Sequence, residues 1–225
     1  MTNCVLSASF LPILLLGAIA GCGTRAAARR PAVTLDSAEV SEYQGQKLSS
    51  PEDFHENSIK GPQHVDTMKY RLTVTGKVDS TRTYTYGQVV DNHQHYTKVV
   101  WLDCVEGWQV KILWEGVLVK DLLNEAGIDS SAKVVIFTGV DGYTTSEPLS
   151  YIMDKNIMLA CKMNGAPLRA NRGFPFELVA EDKWGYKWIK WVTKIELSDD
   201  VNYQGYWERR GYSNDGDLKK SFIGQ

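Results

Sequence analysis

The sequence predicts an α+β fold in which β-structure dominates. Short segments rich in β-branched and aromatic residues recur from about residue 70 to 197, separated by Gly, Asn and Asp turn signals. Sustained helical spacing is confined to one or two short stretches. The chain has 225 residues, 43% of them apolar, enough for one domain with its own core.

The elements follow in order. Tyr70–Thr75 alternates in polarity and reads as a strand stopped at Gly76. Residues 85–90 read as a short helical turn. The run from Thr97 to Cys104 is almost continuously apolar, which predicts a strand buried on both faces. Val117, Leu118, Leu122, Leu123 and Ala126 recur at helical spacing, and Gly127 supplies the stop. Lys133–Thr138 is a strand, turned at Asp141-Gly142. Pro148–Asp154 reads as a short helix opened by proline. Ile157–Met163 is a strand followed by Asn164-Gly165, a hairpin signal. Phe176–Ala180 and Lys187–Leu197 are further strands, and a polar tail follows from about Asp199.

The N-terminus reads differently. Val5–Ala20 is apolar and uncharged, too short for a comfortable membrane span and suited to a secretory leader. It ends in Ile19-Ala20-Gly21-Cys22, which resembles a bacterial lipobox, so Cys22 is expected to carry lipid. Residues 1–21 are then a lipoprotein signal peptide and 22–53 a flexible tether. Residues 54–208 form the working domain and 209–225 a C-terminal tail. The expected location is extracytoplasmic, anchored to the cell-envelope membrane. A formal net charge of −2 argues against nucleic acid as a partner. Seven Trp and eleven Tyr point to an aromatic-lined pocket or interface.

With Cys4 in the leader and Cys22 lipidated, Cys104 and Cys161 remain. They are either a disulfide, common in exported domains, or separate thiols. A zinc site needs three or four ligands, and His93 and His95 have only Asp91 beside them.

Five ordered blocks carry a more specific signal: "DFHENS" (53–58), "DCVEGW" (103–108), "WEGVLVKDLLNEAG" (114–127), "FTGVDGYTTSEPL" (137–149) and "MNGAPLRANRGFPFELVAEDKWGYKWIKWVTKIEL" (163–197). Together they resemble the molybdopterin-binding domain of the sulfite oxidase family, in its shorter single-domain form. The resemblance implies that family's mixed-sheet fold, a Mo-molybdopterin cofactor and two-electron oxygen-atom transfer on a small substrate. Cys104 would bind molybdenum through its thiolate, and Tyr143 would stand on the substrate side as a proton donor. Asn57, His55, Arg172, Gly173, Lys187 and Lys190 would contact the cofactor. Residues three apart in a regular strand face opposite ways, so Lys187 and Lys190 reach one group only if the chain bends after Gly185.

Glu56 and Glu177 stand where sulfite oxidases have anion-binding arginines, which makes sulfite a poor substrate. Electrons would pass to an external carrier, a cytochrome or a membrane redox protein. A metal-free lipoprotein that binds a ligand or partner on the same scaffold is the alternative, and a Cys104–Cys161 disulfide would be its sign.

Overall fold

The computed structural model describes Met1 and residues 39–224. The expected signal peptide, Cys22 and most of the expected tether lie outside the described residues. Order begins earlier than expected. A small hairpin of β1 (Glu42–Tyr43) and β2 (Gln46–Lys47) leads into a 3-10 turn at Pro51–Asp53. Asn164 fastens this segment by donating from Nδ2 to the Ser49 carbonyl at 2.9 Å, and Arg169 pairs with Glu39 and Glu52. Residues 39–53 therefore belong to the folded body, because backbone groups that a tether would leave to water are paired here.

Next come β3 (Leu72–Gly76), β4 (Arg82–Tyr84), α1 (Tyr86–Asn92), β5 (Tyr96–Asp103), β6 (Gln109–Leu118) and α2 (Val119–Ala126). They are followed by β7 (Val134–Gly139), β8 (Thr144–Pro148), α3 (Leu149–Asp154), β9 (Met158–Met163), β10 (Ala166–Pro167), β11 (Glu177–Val179) and β12 (Val192–Ser198). One sheet runs β10-β9-β6-β5, with β11 also pairing β9. The other runs β4-β3-β12-β7-β8, where β3 and β12 are parallel and the remaining pairs antiparallel. Among the described residues the fold is mixed sheet with short helices, as predicted.

Local chemistry sets several boundaries. Thr85 and Gln88 form a capping box at the start of α1: Thr85 Oγ1 accepts from the Gln88 amide at 3.2 Å, and Gln88 Oε1 from the Thr85 amide at 2.8 Å. α2 is short and gains its stability from packing. Its Val119, Leu122, Leu123 and Ala126 are buried, each large apolar side chain contributing about 1.5–3 kcal/mol. Gly127 ends it with φ +74, where a Cβ would lie 2.2 Å from the Asp79 carboxylate.

Two strand expectations need correction. β5 is an edge strand, and Thr97 and Trp101 face solvent. Its apolar run is one buried face interleaved with an exposed one. The expected strand from Lys187 splits into a 3-10 turn at Gly185–Lys187 and β12, with Trp191 at φ +56 as the break.

That turn sends Lys187 into the interior. Its side chain is fully buried. Nζ donates to the Ser146 carbonyl at 2.6 Å, to Glu208 Oε1 at 2.8 Å and to the Asn214 carbonyl at 3.0 Å. Glu147 lies 3.6 Å away and is also buried. One ammonium thus ties β8 and the C-terminal tail to the body. Gly216 must be glycine here, since a Cβ would sit 2.5 Å from Lys187 Cγ. Replacing Lys187 with Met strands the buried carboxyls of Glu208 and Glu147. Chemical denaturation of K187M should show a loss of about 3–5 kcal/mol, and limited proteolysis should show new cleavage within 209–220.

Candidate active site

The β5–β6 hairpin ends in the sequence Cys104-Val105-Glu106-Gly107-Trp108. The Cys104 amide donates to the Trp108 carbonyl at 2.9 Å, and the Gly107 amide donates back to the Cys104 carbonyl at 3.0 Å. Gly107 takes φ +87, the left-handed position that closes a three-residue hairpin loop. This loop explains why the strand stops at a cysteine. The side chain is placed at the tip of a rigid hairpin, 7% exposed, on the wall of a cavity of about 440 Å3. That volume lies within the usual range for small-ligand sites.

The sulfur has donors around it. Asn57 Nδ2 lies 3.7 Å from Cys104 Sγ. Burial pushes the thiol above its ordinary value, while the main-chain N–H groups of Glu106 and Val105 and the Asn57 amide pull it back. Donors directed at sulfur stabilise its negative form, the form a metal binds. Glu106 stands at the mouth and accepts from the Trp108 indole at 3.2 Å. Its carboxyl is held below the ordinary range by the Asn57 amide and that indole.

Of the predicted residues, Cys104, Asn57, His55, Tyr143, Arg172 and Lys190 all line this cavity. Lys187 does not, because its charge is consumed in the interior. Gly173 lies behind the wall at φ +85, beneath Glu177 and Lys190. Arg172 is buried; its guanidinium lies over the Phe54 ring at 4.5 Å and donates to the Phe54 carbonyl at 2.9 Å. It anchors the 54–57 segment that carries His55 and Asn57. The His55 ring lies beside Trp108, centroids 5.5 Å apart. Tyr143 donates its hydroxyl to the Tyr186 carbonyl at 2.5 Å, and burial pushes that phenol well above its ordinary value. In this conformation its proton is already committed, so a role as donor requires that bond to open. The oxygen lone pairs remain able to accept.

The two acids that replace expected arginines behave differently. Glu56 is neutralised by Lys190 at 2.8 Å. Glu177 lines the cavity, 4% exposed, and its Oε2 has no hydrogen-bond partner. Burial pushes its carboxyl up to about 7, against the pull of Lys190 and Arg172.

Several wall residues were not anticipated: Trp188, Trp191, Tyr206, Trp207 and Tyr212, with Asp141. Tyr206, Trp207 and Tyr212 come from the segment read as a polar tail from about Asp199. The available signal was their clustering as three rings within seven residues. Cys104 and Cys161 are both free and buried, Cys161 within β9. The disulfide on which the metal-free reading depended is not formed.

The residues fit a molybdenum-bearing pterin. A single cysteine sulfur faces a cavity of suitable size with N–H donors aimed at it, and flat aromatic walls surround the remainder. One soft protein ligand suits a metal whose other positions are filled by pterin sulfur and oxygen.

Comparison with known proteins agrees. The family model described as "Oxidoreductase molybdopterin binding domain" matches residues 59–207. The uncharacterized oxidoreductase YuiH of Bacillus subtilis is 32% identical over 69% of this chain and 78% of its own length. YedZ1 of Azospira oryzae, named as a candidate protein-methionine-sulfoxide reductase subunit, is 32% identical over 67% of this chain and 57% of its own. Human mitochondrial sulfite oxidase is 28% identical over 71% of this chain, but only 34% of its own length is spanned. The solved sulfane dehydrogenase SoxCD of Paracoccus pantotrophus shares the fold, with a TM-score of 0.61 and 24% identity over 67% of this chain and 42% of that one. A fold with this cavity, a matching family model and these relatives together place the chain in the molybdopterin-binding oxidoreductase family of the sulfite oxidases.

Proposed function

We propose that this chain is a molybdopterin-dependent oxidoreductase that moves an oxygen atom to or from a small neutral substrate outside the cytoplasm. The observation that carries the reading is the Cys104 sulfur, fixed by its hairpin at the cavity wall and faced by N–H donors. Bound there, the molybdenum centre supplies two-electron redox chemistry. Cys104 holds the metal, and Asn57 and the turn amides stabilise the sulfur's charge. Phe54, Trp108, Trp188 and Trp191 keep water from the interior, and Tyr143 holds an oxygen toward the cavity rim.

Charge supports a neutral substrate. Among the described residues, the lining cations are already engaged, Lys190 with Glu56 and Arg172 with main-chain carbonyls. Three carboxyls, Glu106, Asp141 and Glu177, line the same space. A sulfite-like anion meets repulsion of about 4 kcal/mol per unit charge at 4 Å in a partly shielded site, with no dedicated cation to offset it. The name of the Azospira relative points to a neutral S-oxide, which suits this wall. The lipobox-like segment supports a membrane-tethered lipoprotein, and an external carrier such as a cytochrome would exchange the electrons.

Chain purified from a cofactor-competent host should contain molybdenum and pterin near one per chain. Cys104→Ser should lose the visible thiolate–metal absorption and more than about 100-fold of the activity; metal-free wild-type chain would end the enzyme reading. Cys22→Ser should abolish labelling by radioactive fatty acid and release the protein from membranes. Stability should also depend on Glu177. The carboxyl titrates near 4.5 when exposed and near 7 in the fold, so between those values the native state binds more protons than the unfolded one. Stability contributed by this group therefore falls as pH rises through that window. Glu177→Gln should be more stable than wild type at pH 8 by about 2–3 kcal/mol, a gain that shrinks toward pH 5 in thermal melts.

A further inference from the structure

β8 ends its sheet, and its outer edge is covered by the chain that follows β12. Tyr206 donates its amide to the Thr144 carbonyl at 2.8 Å, Ser146 Oγ donates to the Tyr203 carbonyl at 3.3 Å, and Thr145 Oγ1 donates to Glu208 Oε1 at 2.8 Å. Gly205 permits this approach, since a Cβ there would lie 2.3 Å from the Thr144 carbonyl oxygen. The same strap supplies Tyr206, Trp207 and Tyr212 to the cavity wall. Side chains two apart on a strand share a face, so Glu147 points the way Thr145 does, toward the strap. Its side chain is fully buried.

Glu147 is surrounded by charge and receives no hydrogen bond. Both its oxygens lack a partner among the described residues, as does Glu208 Oε2. Lys187 Nζ and Lys183 Nζ lie 3.6 and 3.7 Å from it, beyond hydrogen-bond length. Each lysine already has a closer carboxylate. Lys187 spends its three N–H groups on Ser146, Glu208 and Asn214. Lys183 donates to the Asp215 carbonyl at 2.7 Å and to its carboxylate at 3.0 Å, and Lys220 pairs with Asp215 as well. A buried carboxylate without hydrogen bonds is costly, whereas a carboxyl that keeps its proton is neutral and gains a donor. Glu208, which shares the Lys187 ammonium, keeps one oxygen available to accept.

The neighbours do not titrate with it. Lys220 and Lys183 hold Asp215 below the ordinary carboxylate range. The phenols packed on the cluster, Tyr143, Tyr151 of α3 and Tyr186, are raised by burial and stay neutral. Burial pushes the Glu147 carboxyl up to about 7 despite both lysines.

We infer that Glu147 is a latch: while it holds a proton it fastens the 203–216 strap over the cavity, and on losing that proton it loosens the strap and opens the cavity wall. Ionised, Glu147 sets a second carboxylate beside Glu208 around one ammonium, and the strap bears the repulsion because Glu208 belongs to it. Lifting the strap relieves that repulsion and lets water reach Glu147. The closed form keeps the proton up to about pH 7, and an exposed carboxyl releases it near 4.5. Between those values opening releases one proton, so the opened fraction rises by up to about tenfold per pH unit. Above that window both forms are ionised and the dependence levels off. Acid closes the cavity and neutral pH frees it.

The test is hydrogen–deuterium exchange on the full chain, each peptide's rate being divided by that of the unfolded chain at the same pH. From pH 5 to pH 8 the protection of residues 203–216 should fall by about fiftyfold, most of it before pH 7. Peptides from β7 and β9, which report the whole-fold effect of Glu177, should fall less. Glu147→Gln keeps the shape and an N–H donor but cannot ionise, so its strap should stay protected across the range. Strap protection in the wild type that does not change with pH, a loss shared equally by the strap and the two strands, or an unchanged pH dependence in Glu147→Gln overturns the latch. Should circular dichroism show Glu147→Gln unfolded, the two wild-type outcomes decide alone.

Discussion

A single buried ammonium organises the molecule. Lys187 is enclosed and reaches β8 through the Ser146 carbonyl and the tail through Glu208 and Asn214. Burying a charge is tolerable only when paired and hydrogen-bonded, so its three acceptors must be present together. That requirement draws residues 206–212 against the cavity. Tyr206 then stacks near Tyr143, with centroids 5.6 Å apart, and Tyr212 meets Tyr186 at 5.0 Å. The aromatic wall follows from an electrostatic condition satisfied behind it.

The hairpin at Cys104 works by the complementary means of backbone geometry. Gly107 alone occupies the left-handed position in that loop, and the two cross-strand hydrogen bonds fix where the sulfur lies. Arg172 does similar work for the facing segment, spending its donors on the carbonyls of Phe54 and His55. Its charge is thus used for positioning, and the cavity it lines has little cationic character left. Glu56 and Lys190 cancel in the same way. Among the lining carboxyls of the described residues, Glu177 keeps one oxygen without a hydrogen-bond partner, in a site with little free positive charge.

Much of this was legible in the sequence. Gly127, Asn164-Gly165 and the helical spacing before them encode their turns locally, and the structure places stops or turns at those residues. Cys104, Asn57 and Arg172, which line one cavity, could be picked out because short motifs keep their order along the chain. Lys187 was misjudged because a lysine in a basic-aromatic segment looks like a phosphate ligand. Its true partners, Glu147, Glu208 and Asn214, are distant in sequence or lie in a segment with no periodicity. β5 was misjudged because an apolar run does not reveal whether anything packs on the strand's second face, which here leaves Thr97 and Trp101 exposed. The aromatic tail was missed for a related reason, since only three-dimensional closure turns Tyr206, Trp207 and Tyr212 into cavity wall.

The placement of those last three rings has a consequence for truncation. Tyr206, Trp207 and Tyr212 form one side of the cavity, and the same stretch of chain carries Glu208 and Asn214, two of the three acceptors of the Lys187 ammonium. Shortening the chain before residue 206 would therefore strip a wall from the hollow and unbalance a buried charge in the same cut.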